Sequence, residues 1–260
     1  MFAFKPHTIV LCACSLLLLA AGCRKKKEDK AEHPAGERLL MKVSDGDMNH
    51  ERFEYAGDQV VKYIYYPGFG RDTSWQLIEY SAGRQQKVTL WNGRYMTMEY
   101  SGDTLVRMNE FSKEQVATGY RTYRYSSGRL AEERAYRGDA LHNRSEYTYD
   151  AQGNRLTKTY YVDEDGNGVK KRSVTEYLDY TDHPDPLTAL FEKKFALGRK
   201  FSPRLWQKEI HRDENGFEEW TTEFSYSFDG QGYPVSRKMT SYNPDRQVLR
   251  RSDVKFAYHH

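Results

Sequence analysis

The sequence predicts an all-β protein: a long antiparallel meander of hairpins curled into an open or closed barrel-like sheet, with one short helix near residues 186–197. Three observations predict it. Aromatic residues are abundant, with 21 Tyr, 12 Phe and 4 Trp in 260 residues, although 30% of the chain is charged. An aromatic-x-aromatic figure ending in a glycine-containing turn returns again and again. Ala and Leu, which favour helix, are sparse beyond the first twenty residues, so pleated strands with one polar face fit the composition better than a helical bundle.

The chain begins with a different kind of segment. Lys5 gives a positive start, residues 8–20 form an apolar run, and Ala20, Ala21 and Gly22 precede Cys23. This is a secretory signal, too short to be a comfortable membrane span. The string LAAGC looks like a bacterial lipobox, in which a peptidase cuts before the cysteine and Cys23 carries the lipid. Residues 1–22 are then a signal peptide, and several acyl chains at about 0.8 kcal/mol per buried methylene would anchor the mature protein firmly. Residues 23–38 contain the charged run RKKKEDK and no apolar periodicity, which makes them a flexible tether. Lys27, Glu28 and Asp29 resemble short export signals that send some lipoproteins to the outer face of the outer membrane. Surface and periplasmic display both remain open at this point.

Residues 39–260 read as one domain of repeated hairpins. The figure occurs as FEYAGDQV (53–60), IEYSAGRQ (78–85), MEYSGDTL (98–105), YRYSSGRL (123–130), YTYDAQGN (147–154) and YSFDGQGYP (226–234). Its second-position tyrosines fall at 55, 80, 100, 125 and 149, a step that accommodates one two-stranded unit with its connections. The residue between the aromatics is polar: Glu54, Glu79, Glu99, Arg124, Thr148 and Ser227. Period two therefore puts rings on one face and charges on the other, and a charged outer face argues against lipid-facing strands. Buried tyrosine wants a partner for its hydroxyl, so the ring face is expected to be partly wet.

One passage breaks the pattern. Asp185 can cap a helix with Pro186 in its first position, Leu187, Leu190, Phe191 and Phe195 fall on one side at helical spacing, and Gly198 is a stop. Strands resume after Ser202-Pro203 and run to the VKFAY string at 254–258.

Two resemblances rest on these residues. YTYDAQGNRL at 147–156 resembles the YD hairpin repeats of RHS-type proteins. The lipobox, the aromatic hairpins, DYTDHPDPL at 179–187 and GRKFSP at 198–203 together resemble a group of lipoproteins, typical of Bacteroidetes, with a porin-like domain of unknown function. That resemblance implies a barrel-like meander and an outer-membrane setting. It implies no activity and carries over no catalytic residue.

Signatures of chemistry are thin. Asp163, Asp165 and Asn167 stand at positions 1, 3 and 5 of a calcium loop with Gly168 at 6, yet Val174 occupies position 12, where a bidentate Glu is needed. A hairpin turn accounts for them better, which leaves a weak metal candidate. No HExxH pair, G-x-S-x-G elbow or phosphate-binding glycine loop is present. All three cysteines, Cys12, Cys14 and Cys23, precede the domain, which therefore has no disulfide or thiolate metal site. Lys plus Arg number 40 against 37 Asp plus Glu, spread throughout, which is no footprint for nucleic acid. Trp75, Trp91, Trp206 and Trp220, with Tyr149 from the ring face, are candidate contacts for sugar rings, against the plainer alternative of core packing.

The expectation is thus a non-enzymatic binding or interaction module without cofactor, held at the outer membrane through Cys23, with a glycan or envelope protein as partner. Two alternatives stand beside it: a hydrolase of glycan or envelope polymer, and a structural scaffold.

Overall fold

In a computed structural model, residues 39–45, 49–67, 72–186 and 202–259 are described. Among them run β1 (Leu39–Asp45), β2 (Asn49–Ala56), β3 (Gln59–Pro67), β4 (Ser74–Ser81), β5 (Arg84–Leu90), β6 (Tyr95–Ser101), β7 (Thr104–Phe111) and β8 (Ala117–Ser126). There follow β9 (Arg129–Arg137), β10 (Ala140–Tyr149), β11 (Arg155–Val162), β12 (Lys170–Pro184), β13 (Arg204–Asp213), β14 (Glu218–Phe228), β15 (Pro234–Tyr242) and β16 (Val248–His259). Each strand pairs with its neighbours in sequence, and β1 pairs antiparallel with β16, as in Val43↔Phe256 and Asp45↔Val254. The meander is a closed barrel, which decides between the open and closed forms that the sequence allowed. Cys23 and nearly all of the helix expected over 186–197 lie outside the described residues.

The two ends of the barrel differ. At one rim each even-numbered strand turns into the next odd-numbered one. Two-residue turns do this at 82–83 and 127–128, where Ala82, Gly83, Ser127 and Gly128 all have positive φ. That is the mark of type I′ turns, whose twist matches the flanking strands. The 150–154 turn is longer. Asp150 accepts the Asn154 N–H at 2.8 Å and its side-chain amide at 2.9 Å, and Gly153 takes the φ of +96° that closes the turn. Asp229 does the same for Gln231 and Tyr233.

The recurring tyrosines tie this rim together. Tyr55 donates to the Leu40 carbonyl at 2.6 Å, and Tyr80 to Val60, Tyr100 to Gln85, Tyr149 to Leu130, Tyr226 to Trp206 and Tyr258 to Pro234, each at 2.9 Å. Tyr180 reaches the Arg155 carbonyl in the same way. In every case the backbone ladder between the two strands begins two residues further in, at Lys42, Lys62, Lys87, Glu132, Thr157, Lys208 and Ser236. The strands splay at the rim, and the phenol supplies the donor that the ladder no longer offers. A bulge directly before Tyr55, Tyr80, Tyr100, Tyr125 and Tyr149 sets the ring in place. Burial pushes the phenols of Tyr55, Tyr80, Tyr100, Tyr180 and Tyr226 up, Tyr180 to about 12, so they remain donors.

Alternation sorts the walls as expected. Outward-facing residues are charged and paired, as in Lys87–Glu79 at 3.3 Å, Arg134–Glu132 at 2.8 Å and Arg212–Glu176 at 3.1 Å. The inward face divides in two. From β16 through β1 to β9 it carries an apolar cluster in which Phe53, Val60 and Val88 are wholly buried, joined by Ile78, Met98, Leu105 and Leu130. Each such side chain contributes about 1.5–3 kcal/mol by leaving water. Across β8 to β15 the same face carries charge.

Candidate functional site

The charged half is assembled from inward-facing side chains of successive strands. Arg121 of β8 donates from Nε to Glu110 Oε1 of β7 at 3.0 Å and from Nη1 to Glu133 Oε1 of β9 at 2.8 Å. Tyr147 of β10 donates to the second oxygen of Glu133 at 3.4 Å. The Arg155 guanidinium of β11 lies over the Tyr147 ring at 5.0 Å and the Tyr177 ring of β12 at 5.4 Å. Trp206 of β13 meets Tyr177 edge-on at 5.2 Å and donates from Nε1 to Glu209 at 2.7 Å. Arg237 of β15 lies over Phe224 at 5.4 Å.

The electrostatics follow from burial. Burial pushes the Glu209 carboxyl up, against the pull of the Trp206 indole and of Arg237 and Arg155. Burial also works against the Arg121 charge, but bonding to Glu133 and Glu110 outweighs it and holds the guanidinium protonated. Tyr123 and Tyr147 are pushed well above the usual phenol range, chiefly by burial. Tyr123 Oη, Arg155 Nε and Arg237 Nε are buried with no hydrogen-bond partner among the described residues. Groups of this kind take ordered water. One wall is therefore mainly apolar, with the buried amides of Gln76 and Gln85 set into it, and the other is polar.

At the rim opposite the tyrosine ties, where the two walls meet between β6 and β10, a cavity of about 450 Å³ opens. Arg94, Glu110, Arg121, Arg137, His142 and Asn143 line it. Such a site can hold a polar or charged group by hydrogen bonds from guanidinium and amide.

The tryptophans are not brought together. Trp206 is inside the barrel, as described. Trp220 stacks on His211 at 3.8 Å, one strand away. Trp75 points to the outer face, paired in register with Ile64, and Trp91 is half exposed in the β5–β6 turn. Tyr149 spends its hydroxyl on the Leu130 carbonyl. Asp163, Asp165 and Asn167 lie in the β11–β12 connection. There Asp165 accepts Lys170 Nζ at 2.7 Å and the Asn167 N–H at 3.1 Å, which holds its carboxyl down at about 2. Among the described residues no three His, Cys, Asp or Glu side chains gather to hold a metal.

Arg121, Glu133, Arg155, Glu209 and the cavity arginines were not singled out by sequence reasoning. A signal was present, since Arg121 sits two residues before Tyr123 and shares its face.

No known protein family matches the sequence, and no curated protein does. The fold is similar to solved structures. A porin-like protein from Bacteroides uniformis superposes with a TM-score of 0.61 at 11% identity, covering 85% of this chain and 96% of that one. A porin-like protein from Bacteroides vulgatus gives a TM-score of 0.43 at 16% identity, over 85% and 99% of the two chains. A Bacteroides fragilis protein of unknown function gives 0.29 at 13%, over 65% and 94%. The first of these establishes a porin-like barrel fold.

Proposed function

We propose that the chain is a lipid-anchored, non-enzymatic binding barrel of the outer membrane that takes a polar ligand, a glycan or a group on an envelope partner, at the open end of its lumen. The observation that carries the reading is the inward-facing cavity of about 450 Å³ at that end, lined by guanidinium, amide and imidazole groups. A water-filled pore through lipid is the obvious other use of such a barrel. The outer wall speaks against it, because Glu79, Lys87, Glu99 and Arg107 project from adjacent strands as exposed ion pairs, and charge facing hydrocarbon is costly. The lipobox at 19–23 supplies a way to hold a polar-walled barrel at a membrane without spanning it.

A hydrolase would use paired carboxylates. The two nearest this end, Glu110 and Glu133, are both clamped by Arg121, an arrangement suited to holding the wall together. The reading is tested by glycan-array screening of the purified protein: binding to a defined set of glycans is expected, and a blank array sinks it. Metabolic labelling with palmitate tests the anchor, with label expected on the wild type and none on Cys23→Ala.

A further inference from the structure

We infer that the lumen cavity selects an anionic sugar residue, one that carries a carboxylate or a sulfate, and that Arg137 is the residue that holds the anion. This deepens the binding reading above and rests on it.

Three guanidiniums converge on one concavity, and they are not equally engaged. Arg121 has ion partners on both sides, Glu110 at 3.0 Å and Glu133 at 2.8 Å. Arg94 approaches the other Glu110 oxygen only at 4.0 Å. Arg137, at the end of β9, has neither an ion pair nor a hydrogen bond to another side chain among the described residues. Glu110 is the one carboxylate in the lining, and Arg121 already neutralises it. The cavity is left with a net positive field from Arg94 and Arg137, facing a polar wall.

The backbone keeps this space open. Gly119 stands opposite Arg137 in the β8–β9 ladder, and a Cβ built there would come within 2.2 Å of the Tyr136 carbonyl oxygen. No side chain fits at that position, so β8 presents a bare glycine next to Arg137. Ala135, also in the lining, adds only a methyl group. Small residues between arginines make room for a ligand where larger ones would have filled the wall.

Guanidinium is matched to this task. Its planar fork gives two parallel N–H donors to a carboxylate or sulfate, and charge-assisted bonds of this kind are roughly twice as strong as neutral ones. Asn143 adds an amide that can donate to a sugar hydroxyl. A neutral sugar gains little from Arg137.

The experiment is calorimetric titration of the full-length protein with three oligosaccharides: one containing glucuronate, one sulfated, and their neutral counterpart. At least one acidic ligand is expected to bind about tenfold or more tightly than the neutral one, the range for a charged hydrogen-bond partner, and to weaken as ionic strength rises. Comparison of the glucuronate and sulfate arms identifies the anion. Arg137→Ala is expected to remove the preference while leaving the urea midpoint unchanged, since the side chain is exposed, and Arg137→Glu to reverse it. Equal binding of acidic and neutral ligands, untouched by Arg137→Ala, overturns the inference and leaves the binding-barrel reading standing. Failure of all three ligands to bind, on a protein that is also blank on the glycan array, overturns both.

Discussion

The two walls of the lumen are built on the same hairpin figure and do different work. On the wall from β16 through β1 to β9, inward positions are Phe53, Val60, Val88 and their neighbours, fully buried against one another. On the wall from β8 to β15 they are Arg121, Glu133, Tyr147, Arg155 and Glu209, joined into a chain of charged and aromatic contacts. The tyrosine ties are common to both, from Tyr55 and Tyr80 on the first to Tyr149 and Tyr226 on the second. The frame is thus set by the ties, and the wall between them is free to be filled for stability or left polar for binding.

Substitutions and a pH titration probe this division. The greatest loss is expected on the apolar wall, where Phe53→Ala opens a cavity in a wholly buried site and costs about 3–5 kcal/mol in urea unfolding. If it costs no more than a polar-wall change, the walls do not differ as described. Glu133→Ala takes one of two carboxylates from Arg121 and the acceptor from Tyr147. Arg121 is partly exposed and keeps Glu110, so a loss of about 2 kcal/mol is expected. Tyr149→Phe deletes a single tie and should cost about 1 kcal/mol, and the same change at Tyr80 should cost a similar amount. A large disparity between the two would show that the ties are not a shared frame.

The smallest effects are in pH dependence, and two of them belong to the polar wall. Burial raises Glu209 above its ordinary 4.5, so its contribution to stability is present below that value and is lost as pH rises through the folded-state pKa. Glu209→Gln should remove this decline. Burial lowers His211 below 6.5, with Glu219 opposing. Its contribution is therefore present above pH 6.5 and lost as pH falls through the folded-state value. Urea midpoints measured from pH 4 to 8 on wild type, Glu209→Gln and His211→Gln check both signs, and Phe53→Ala should shift the whole curve without changing its shape.

Much of this was legible in the sequence. The alternation in FEY, IEY and MEY assigned rings inward and charges outward, and the demand of a buried phenol for a partner anticipated the ties in kind, though not that their acceptors would be the carbonyls left over where the strands splay. Closure was not legible, because nothing local in residues 39–45 says that they pair with residues more than two hundred positions away. The polar wall was missed for a related reason. Counting alternate residues across a bulge loses parity: Arg155 lies opposite Tyr149, but Thr157 pairs with Thr148 and Leu156 is skipped, so a simple count onward from Arg155 assigns the rest of β11 to the wrong faces. The tryptophans failed to assemble because β4 and β13 stand far apart around the barrel, a relation that composition cannot express.

The pairing of β1 with β16 also bears on how the molecule comes into being. A meander can zip hairpin by hairpin as it is made, each step local and fast, but the last step joins residues such as Val43 and Phe256 and must wait for almost the whole chain. Until then β1 offers an unpaired strand edge, a ready template for a neighbouring chain, and a contact of such long range is intrinsically slow to form. The seam that finally abolishes the edges of this barrel is, during synthesis, its most exposed line.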